Sequence, residues 1–253
     1  MRRPLAALTL ALLTVMLIAA PAGAIINGQP DGNRHPYVGL VTDFNFVCSG
    51  ALISPTIFIT AAHCFETSGQ EVFITFNPDG VFSETFEQDL VTGHWYPDPA
   101  FCIGCASGLP GFDTHDVAVV VLDAPVELSR YANLPYEGQV DDLTKGSQVE
   151  SVGYGIQVRE KQLDDELFTR YRAVSNISRS RGRISEEFLK LSANPSQGKG
   201  GTCFGDSGGP NLLRGTDTIL SINSFVTNGN CAGVTYSYRI DTPEALAFIG
   251  QFL

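Results

Sequence analysis

The chain has 253 residues, 43% of them hydrophobic and 17% charged, with a formal net charge of −11. That balance describes a globular protein with apolar material for one large or two small domains, and it excludes a disordered chain. The acidity argues against nucleic acid or an anionic membrane as partner, because like charges repel.

The chain opens with Arg2 and Arg3, an apolar run from Leu5 to Ala20, and then Pro21-Ala22-Gly23-Ala24. This reads as a signal peptide over residues 1–24 with a small-residue cleavage site. The run is short for a membrane anchor, so the mature protein is expected to be secreted and free of the membrane. Removing these residues takes away two arginines and no acid, which moves the charge from −11 to −13.

Short β-rich runs follow at Tyr37–Thr42, Ala51–Thr60, Val72–Phe76, Val117–Leu122, Gln148–Val152, Ile219–Ser224 and Val234–Tyr238. Gly, Pro, Asn and Asp punctuate them, which predicts an all-β sandwich or barrel; periodicity does not separate the two. Between them, Arg159–Arg183 carries mixed charge and reads as a solvated loop or short surface helix. It contains Asn176-Ile177-Ser178, which fits a glycosylation sequon. At the end, Asp241-Thr242-Pro243-Glu244 signals a capped helix over Ala245–Leu253, whose Leu246, Ile249 and Phe252 are expected on the second half of the molecule.

Six cysteines in an exported chain suggest disulfides, although six allow 15 pairings. Cys102 and Cys105 form a C-x-x-C, but no second cysteine pair or suitably spaced histidines accompany it, so a metal site is not expected. A redox role lacks a βαβ setting.

Three motifs carry chemistry. Thr60-Ala61-Ala62-His63-Cys64 offers a histidine among small residues, and His115-Asp116 places an acid before an apolar strand. Gly205-Asp206-Ser207-Gly208-Gly209-Pro210 offers a serine in a glycine-rich loop. A serine hydroxyl is a poor nucleophile until an imidazole takes its proton, and a carboxylate fixes the tautomer of that imidazole. The order is His, Asp, Ser, with spacings of 53 and 91 residues.

These motifs, with Ile25-Ile26-Asn27-Gly28, Cys48-Ser49-Gly50-Ala51-Leu52-Ile53, Ser151-Val152-Gly153-Tyr154-Gly155 and Ser224-Phe225-Val226, resemble the trypsin/chymotrypsin-like serine proteases. The resemblance implies two six-stranded antiparallel Greek-key barrels with a C-terminal helix and a cleft between them. Residues 25–135 would form the half bearing His63 and Asp116. Residues 136–253 would form the half bearing Ser207 and the specificity pocket. It also implies Cys48–Cys64 and Cys203–Cys231 disulfides, which leaves Cys102–Cys105 as a small closed loop.

By the same resemblance, Ser207 is the nucleophile, His63 the base and Asp116 its orienting acid; Asp113 is the nearest competing acid. Gly205 and Ser207 would supply oxyanion N–H groups, and the amine of Ile25 would pair with Asp206. Ala24 stands where the family's zymogens carry Arg or Lys, so signal cleavage alone would expose Ile25. Gly201 falls at the base of the specificity pocket, with Thr202 beside it and Ser224, Phe225 and Val226 along its wall. No acid stands at that base, and a β-branched Val226 narrows the entrance, so a neutral, small or aliphatic P1 residue is expected.

The resemblance implies protein or peptide substrates, a protein inhibitor as further partner, a monomer, and no cofactor, metal or nucleic acid. Two other readings compete. A non-catalytic homologue would use the scaffold as a binding module, and a dedicated esterase would share the acyl chemistry.

Overall fold

The computed structural model describes residues 25, 28–105, 113–156, 168–178, 184–193, 199–227, 229, 231 and 233–253. The expected signal peptide lies outside these residues. Six strands close the first barrel: β2 (Val38–Thr42), β3 (Val47–Leu52), β4 (Ile57–Thr60), β5 (Gln70–Thr75), β6 (Val91–Pro97) and β7 (Ala118–Leu122). β1 (Gln29–Pro30) precedes them.

The second barrel uses β8 (Gln148–Gly153), β9 (Tyr171–Ile177), β10 (Phe188–Ala193), β11 (Pro210–Leu213), β12 (Ile219–Val226) and β13 (Gly233–Arg239). These pair antiparallel in the ring β8-β9-β10-β13-β12-β11, and β11 returns to β8. The fold is therefore all-β, two closed six-stranded antiparallel barrels with a short C-terminal helix, as expected. Closure pairs each of the twelve barrel strands on both sides, and among the described residues only the two-residue β1 is left at an edge.

Local sequence explains these elements. β2 and β4 are buried along their whole length, which is why they read as unbroken apolar runs. The predicted run Ala51–Thr60 is in fact two strands, β3 and β4. Ile53–Thr56 turns between them, and Pro55, which cannot donate to a ladder, helps break the run. The first barrel's core centres on Leu40, Ile59, Ile74, Val119 and Trp95. The Trp95 indole donates to the Ala61 carbonyl at 3.4 Å and meets Phe65 edge-on.

The segment read as a solvated loop or surface helix needs correction. Of its described part, Tyr171–Ile177 is strand β9, and it buries Ala173, Ser175 and Ile177 on alternate positions. Just before it, Arg170 is 1% exposed. Its guanidinium donates to the carbonyls of Gly32, Val38 and Phe76, to the Tyr154 hydroxyl at 3.2 Å and to Asp31 Oδ2 at 3.2 Å. A buried charge persists only when paired and fully hydrogen-bonded, and Arg170 meets that condition where the two barrels meet. Asn176 lies within β9, and its Oδ1 accepts from Gln148 Nε2 at 3.3 Å.

Strand β1 and the last helical turn each reach across to the other half. β1 pairs with β9, Gln29 opposite Arg172. At the other end, α2 (Pro243–Ile249) begins at Thr242, whose hydroxyl accepts from the Ala245 N–H. Ile249 is buried, but Phe252 does not pack only on the second barrel as expected. Its ring lies 5.8 Å from that of Tyr96 in β6. The remaining helix, α1 (Ile184–Glu187), is a single turn before β10. Among the described residues, no helix is long and apolar enough to cross a membrane.

Candidate active site

His63 sits in a helical turn, Ala62–Cys64, immediately after β4. Ala61 and Ala62 are fully buried, and the Cys48–Cys64 disulfide ties this turn back to β3. Asp116 lies two residues before β7 and is fully buried. Its Oδ2 accepts from His63 Nδ1 at 2.8 Å, and its Oδ1 accepts from the His63 backbone N–H at 3.0 Å. Ser224 Oγ donates to the same Oδ2 in a short contact. With Nδ1 donating, the other ring nitrogen of His63 is left as the acceptor, and the side chain is 25% exposed.

Burial opposes charge on both groups, and their mutual attraction outweighs it. Burial lowers the affinity of His63 for a proton, yet the Asp116 charge and hydrogen bond raise its pKa above the ordinary value. Burial likewise pushes Asp116 up, but the His63 charge and the hydrogen bonds from His63 and Ser224 hold it below the ordinary carboxylate range. Asp113, the competing acid, instead accepts from the Gly104 N–H at 2.7 Å.

The serine loop is docked onto the first barrel by close backbone approach. The Ser49 N–H donates to the Ser207 carbonyl at 2.8 Å, and Ser49 Oγ donates to the Gly205 carbonyl at 2.8 Å. Gly208 has φ +77°, and a Cβ there would fall 2.2 Å from Thr60 Oγ1 and 2.6 Å from the Ala61 nitrogen. Only glycine permits that contact, which brings the serine beside the strand that carries the histidine. Ser49, fully buried in β3, holds the serine loop through these two contacts; the sequence reading assigned it no such contact, and a lone serine between Cys48 and Gly50 carries no local signal for it.

Ser207 and His63 line one cavity of about 680 Å³, with no direct hydrogen bond between their side chains among the described residues. Gly205 has φ +90°, a left-handed conformation natural to glycine. Among the described residues, neither the Gly205 nor the Ser207 N–H is taken up by a protein acceptor.

Asp206 points the other way, into the protein, and is fully buried. Its Oδ1 accepts from Gly155 N at 2.8 Å and its Oδ2 from Cys203 N at 2.8 Å. Gly153 and Gly155 make room for it, since a Cβ on either would lie 2.4 to 2.5 Å from the carboxylate. Burial raises the Asp206 pKa to about 7 despite the two N–H donors. Ile25 is fully buried as well.

Thr202, Ser224, Phe225 and Val226 line the cavity, as expected of a pocket. Gly201 is buried and is not part of the lining; Thr202, itself only 4% exposed, takes that place at the cavity wall. Phe225 stacks on Tyr236 at 5.2 Å and backs that wall. No Asp, Glu, Lys or Arg side chain lines the cavity among the described residues. Cys48, His63 and Cys64 bring donor atoms within 4.8 Å of one another, but both sulfurs are held in a disulfide and cannot act as thiolates. The remaining cysteines pair as Cys203–Cys231 and Cys102–Cys105.

A family model described as Trypsin matches residues 25–249. The chain belongs to the trypsin family of serine endopeptidases. Granzyme M of Rattus norvegicus is 30% identical over 242 residues, covering 90% of this chain and 88% of that protein. Prostatic glandular kallikrein-6 of the same species is 29% identical over 213 residues, covering 78% of each. The solved structure of HL collagenase matches this trypsin-family chain with a TM-score of 0.65 at 19% identity, over 91% of this chain and 96% of that one. Human heparin binding protein matches with a TM-score of 0.63 at 17% identity, over 87% and 94%. These two likenesses speak to fold alone.

Proposed function

We propose that the enzyme cleaves peptide bonds through an acyl-enzyme on Ser207, with His63 as base and Asp116 as its orienting acid. The observation that carries this is the His63–Asp116 hydrogen bond of 2.8 Å at the edge of the cavity that Ser207 also lines. His63 Nε2 takes the hydroxyl proton as Ser207 Oγ attacks the carbonyl carbon. The resulting oxyanion sits against the N–H groups of Gly205 and Ser207. Collapse breaks the C–N bond, and His63 hands its proton to the departing amine. Water, deprotonated by His63, then releases the acid and restores the serine.

Asp206 orders the oxyanion loop by pairing with the α-amino group of Ile25, exposed when a signal peptide is cut after Ala24. What supports this is a fully buried carboxylate with two N–H donors, beside a sequence whose Ile25 is also buried. The P1 residue is neutral and small or aliphatic, in keeping with an uncharged cavity and with Val226 on its wall. The substrate is a protein or peptide met outside the cell.

The test is labelling with a fluorophosphonate. Wild-type protein labels at Ser207 and digests casein; Ser207→Ala does neither. A wild-type chain that starts at Ile25 and fails to label is a binding module, and one that labels without digesting casein is an esterase. A P1-scanning library that favours Arg overturns the neutral pocket, and N-terminal sequencing that finds any start other than Ile25 overturns the activation route.

A further inference from the structure

The interior of the second barrel holds a chain of four polar side chains directly behind the serine loop. Ser151 in β8, Asn211 in β11, Asn223 in β12 and Ser237 in β13 are between 0% and 3% exposed. Ser151 Oγ donates to Asn211 Oδ1 at 2.5 Å. Asn211 Nδ2 donates to Asn223 Oδ1 at 2.8 Å and to Ser237 Oγ at 2.9 Å, and Ser237 Oγ reaches Asn223 Oδ1 at 3.4 Å. The acceptor end of Asn223 is thereby fixed. Its donor end, Nδ2, donates to the backbone carbonyl of Asp206 at 3.1 Å.

That carbonyl belongs to the peptide whose nitrogen is the Ser207 N–H. A trans peptide is planar, with C=O and N–H on opposite sides. Holding the oxygen from inside the barrel therefore aims the N–H outward. The Gly209 N–H holds the same oxygen at 2.9 Å, so two donors grip it. The Asn223 backbone is already stitched to the loop through Gly208 N to Asn223 O at 2.8 Å and Asn223 N to Gly209 O at 2.9 Å. Strand pairing thus needs no amide side chain, and burying amides and hydroxyls in a barrel core carries a desolvation cost that apolar residues avoid.

We propose that Asn223 is a positioning residue for the oxyanion donor. Its amide, braced by Asn211, Ser151 and Ser237, sets the direction of the Ser207 N–H and, by hydrogen bonding to its carbonyl partner, strengthens it as a donor. The inference rests on the acyl-enzyme reading above. The next side chain along β12, Ser224, reaches Asp116, and the strand carries a register shift between Asn223 and Phe225. One strand thus serves both the base and the oxyanion site.

The test compares the mature wild-type protein with Asn223→Leu and with Asn211→Leu/Asn223→Leu. Each is measured for fluorophosphonate labelling, kcat and KM on one peptide substrate, inhibition by a peptidyl boronate, and thermal midpoint. In Asn223→Leu, kcat falls about tenfold to a hundredfold with KM within about twofold, and boronate inhibition weakens in step. The double variant pairs two apolar side chains and recovers thermal stability while kcat stays low. Recovery of kcat along with stability, or unchanged kcat in Asn223→Leu, overturns the proposal. If Asn223→Leu does not fold, the double variant alone decides. A wild-type protein that does not label at Ser207 fails the acyl-enzyme reading itself, before any variant is compared.

Discussion

Two histidine–aspartate pairs in this molecule have nearly the same bond and different surroundings. His63 Nδ1 meets Asp116 Oδ2 at 2.8 Å, and His35 Nδ1 meets Asp31 Oδ1 at 2.7 Å. In each pair the acid also accepts the backbone N–H of its histidine at 3.0 Å. The first ring is 25% exposed and opens on the cavity; the second is 6% exposed and closed in. Asp116 meets a serine hydroxyl, whereas Asp31 meets the Arg170 guanidinium at 3.2 Å. A His–Asp bond is therefore not a catalytic feature by itself. What separates a base from a bolt is whether the far nitrogen has somewhere to send a proton.

Mutating each pair should separate the roles. His63→Ala lowers kcat/KM by a factor on the order of 10⁴ to 10⁶ with little change in thermal midpoint, and Asp116→Asn by about 10⁴. At the other pair the readouts exchange. Asp31→Asn leaves Arg170 buried without its carboxylate and costs about 3–5 kcal/mol of stability in denaturant unfolding. Protein of that variant that remains folded keeps its turnover. Comparable activity losses at both pairs would erase the distinction.

The protonation states sharpen it next. Because the His63 pKa is raised from its ordinary value of 6.5, and the base must be neutral, kcat/KM rises with pH through a midpoint above 6.5. Asp116→Asn removes the raising charge and moves that midpoint down. A midpoint unmoved by the substitution would assign the acid limb to another group.

Asp206 gives the following effect in size. Without a cation its folded pKa is about 7 against an ordinary 3.8. A raised carboxylate pKa favours the folded state below the ordinary value, and that contribution is lost as pH rises through about 7. A chain extended before Ile25 therefore melts lower than one starting at Ile25 at neutral pH, and the gap closes as pH falls toward 4. Thermal melts of the two forms across that range check it; parallel curves would remove the pairing. The smallest change is Val226→Gly, which widens the cavity wall and shifts P1 preference toward larger neutral side chains in a substrate library.

How legible this was depended on what fixes each feature. The Cys48–Cys64 and Cys203–Cys231 pairs and the meeting of His63 with Asp116 were legible only through the family resemblance, which rests on short motifs around each residue; spacing alone left fifteen cysteine pairings open. β6 and β9 were not seen, because VTGHWYP and YRAVSNI bury only alternate residues and carry Gly, Pro or charge. β11 is four residues beginning with proline. Arg170 hid within a charge-rich stretch, since nothing local says that its carbonyl acceptors come from Gly32, Val38 and Phe76. Whether Gly201 or Thr202 lines the cavity was hidden for a related reason, since it is set by loop packing between distant segments. Asn223 looked like an ordinary strand residue, and its meaning lies in a carbonyl seventeen positions earlier.

The crossing of the two ends has a consequence for how the molecule can come apart. Strand β1 is paired with the second barrel, Gln29 opposite Arg172, while the last helical turn rests against the first barrel through Phe252 and Tyr96. Opening the groove by hinging one half away would first require unlacing both ends, so the chain's own tails act as a belt across the seam. A version cut between Leu122 and Gln148 and expressed as two fragments should reassemble more weakly once either tail is trimmed.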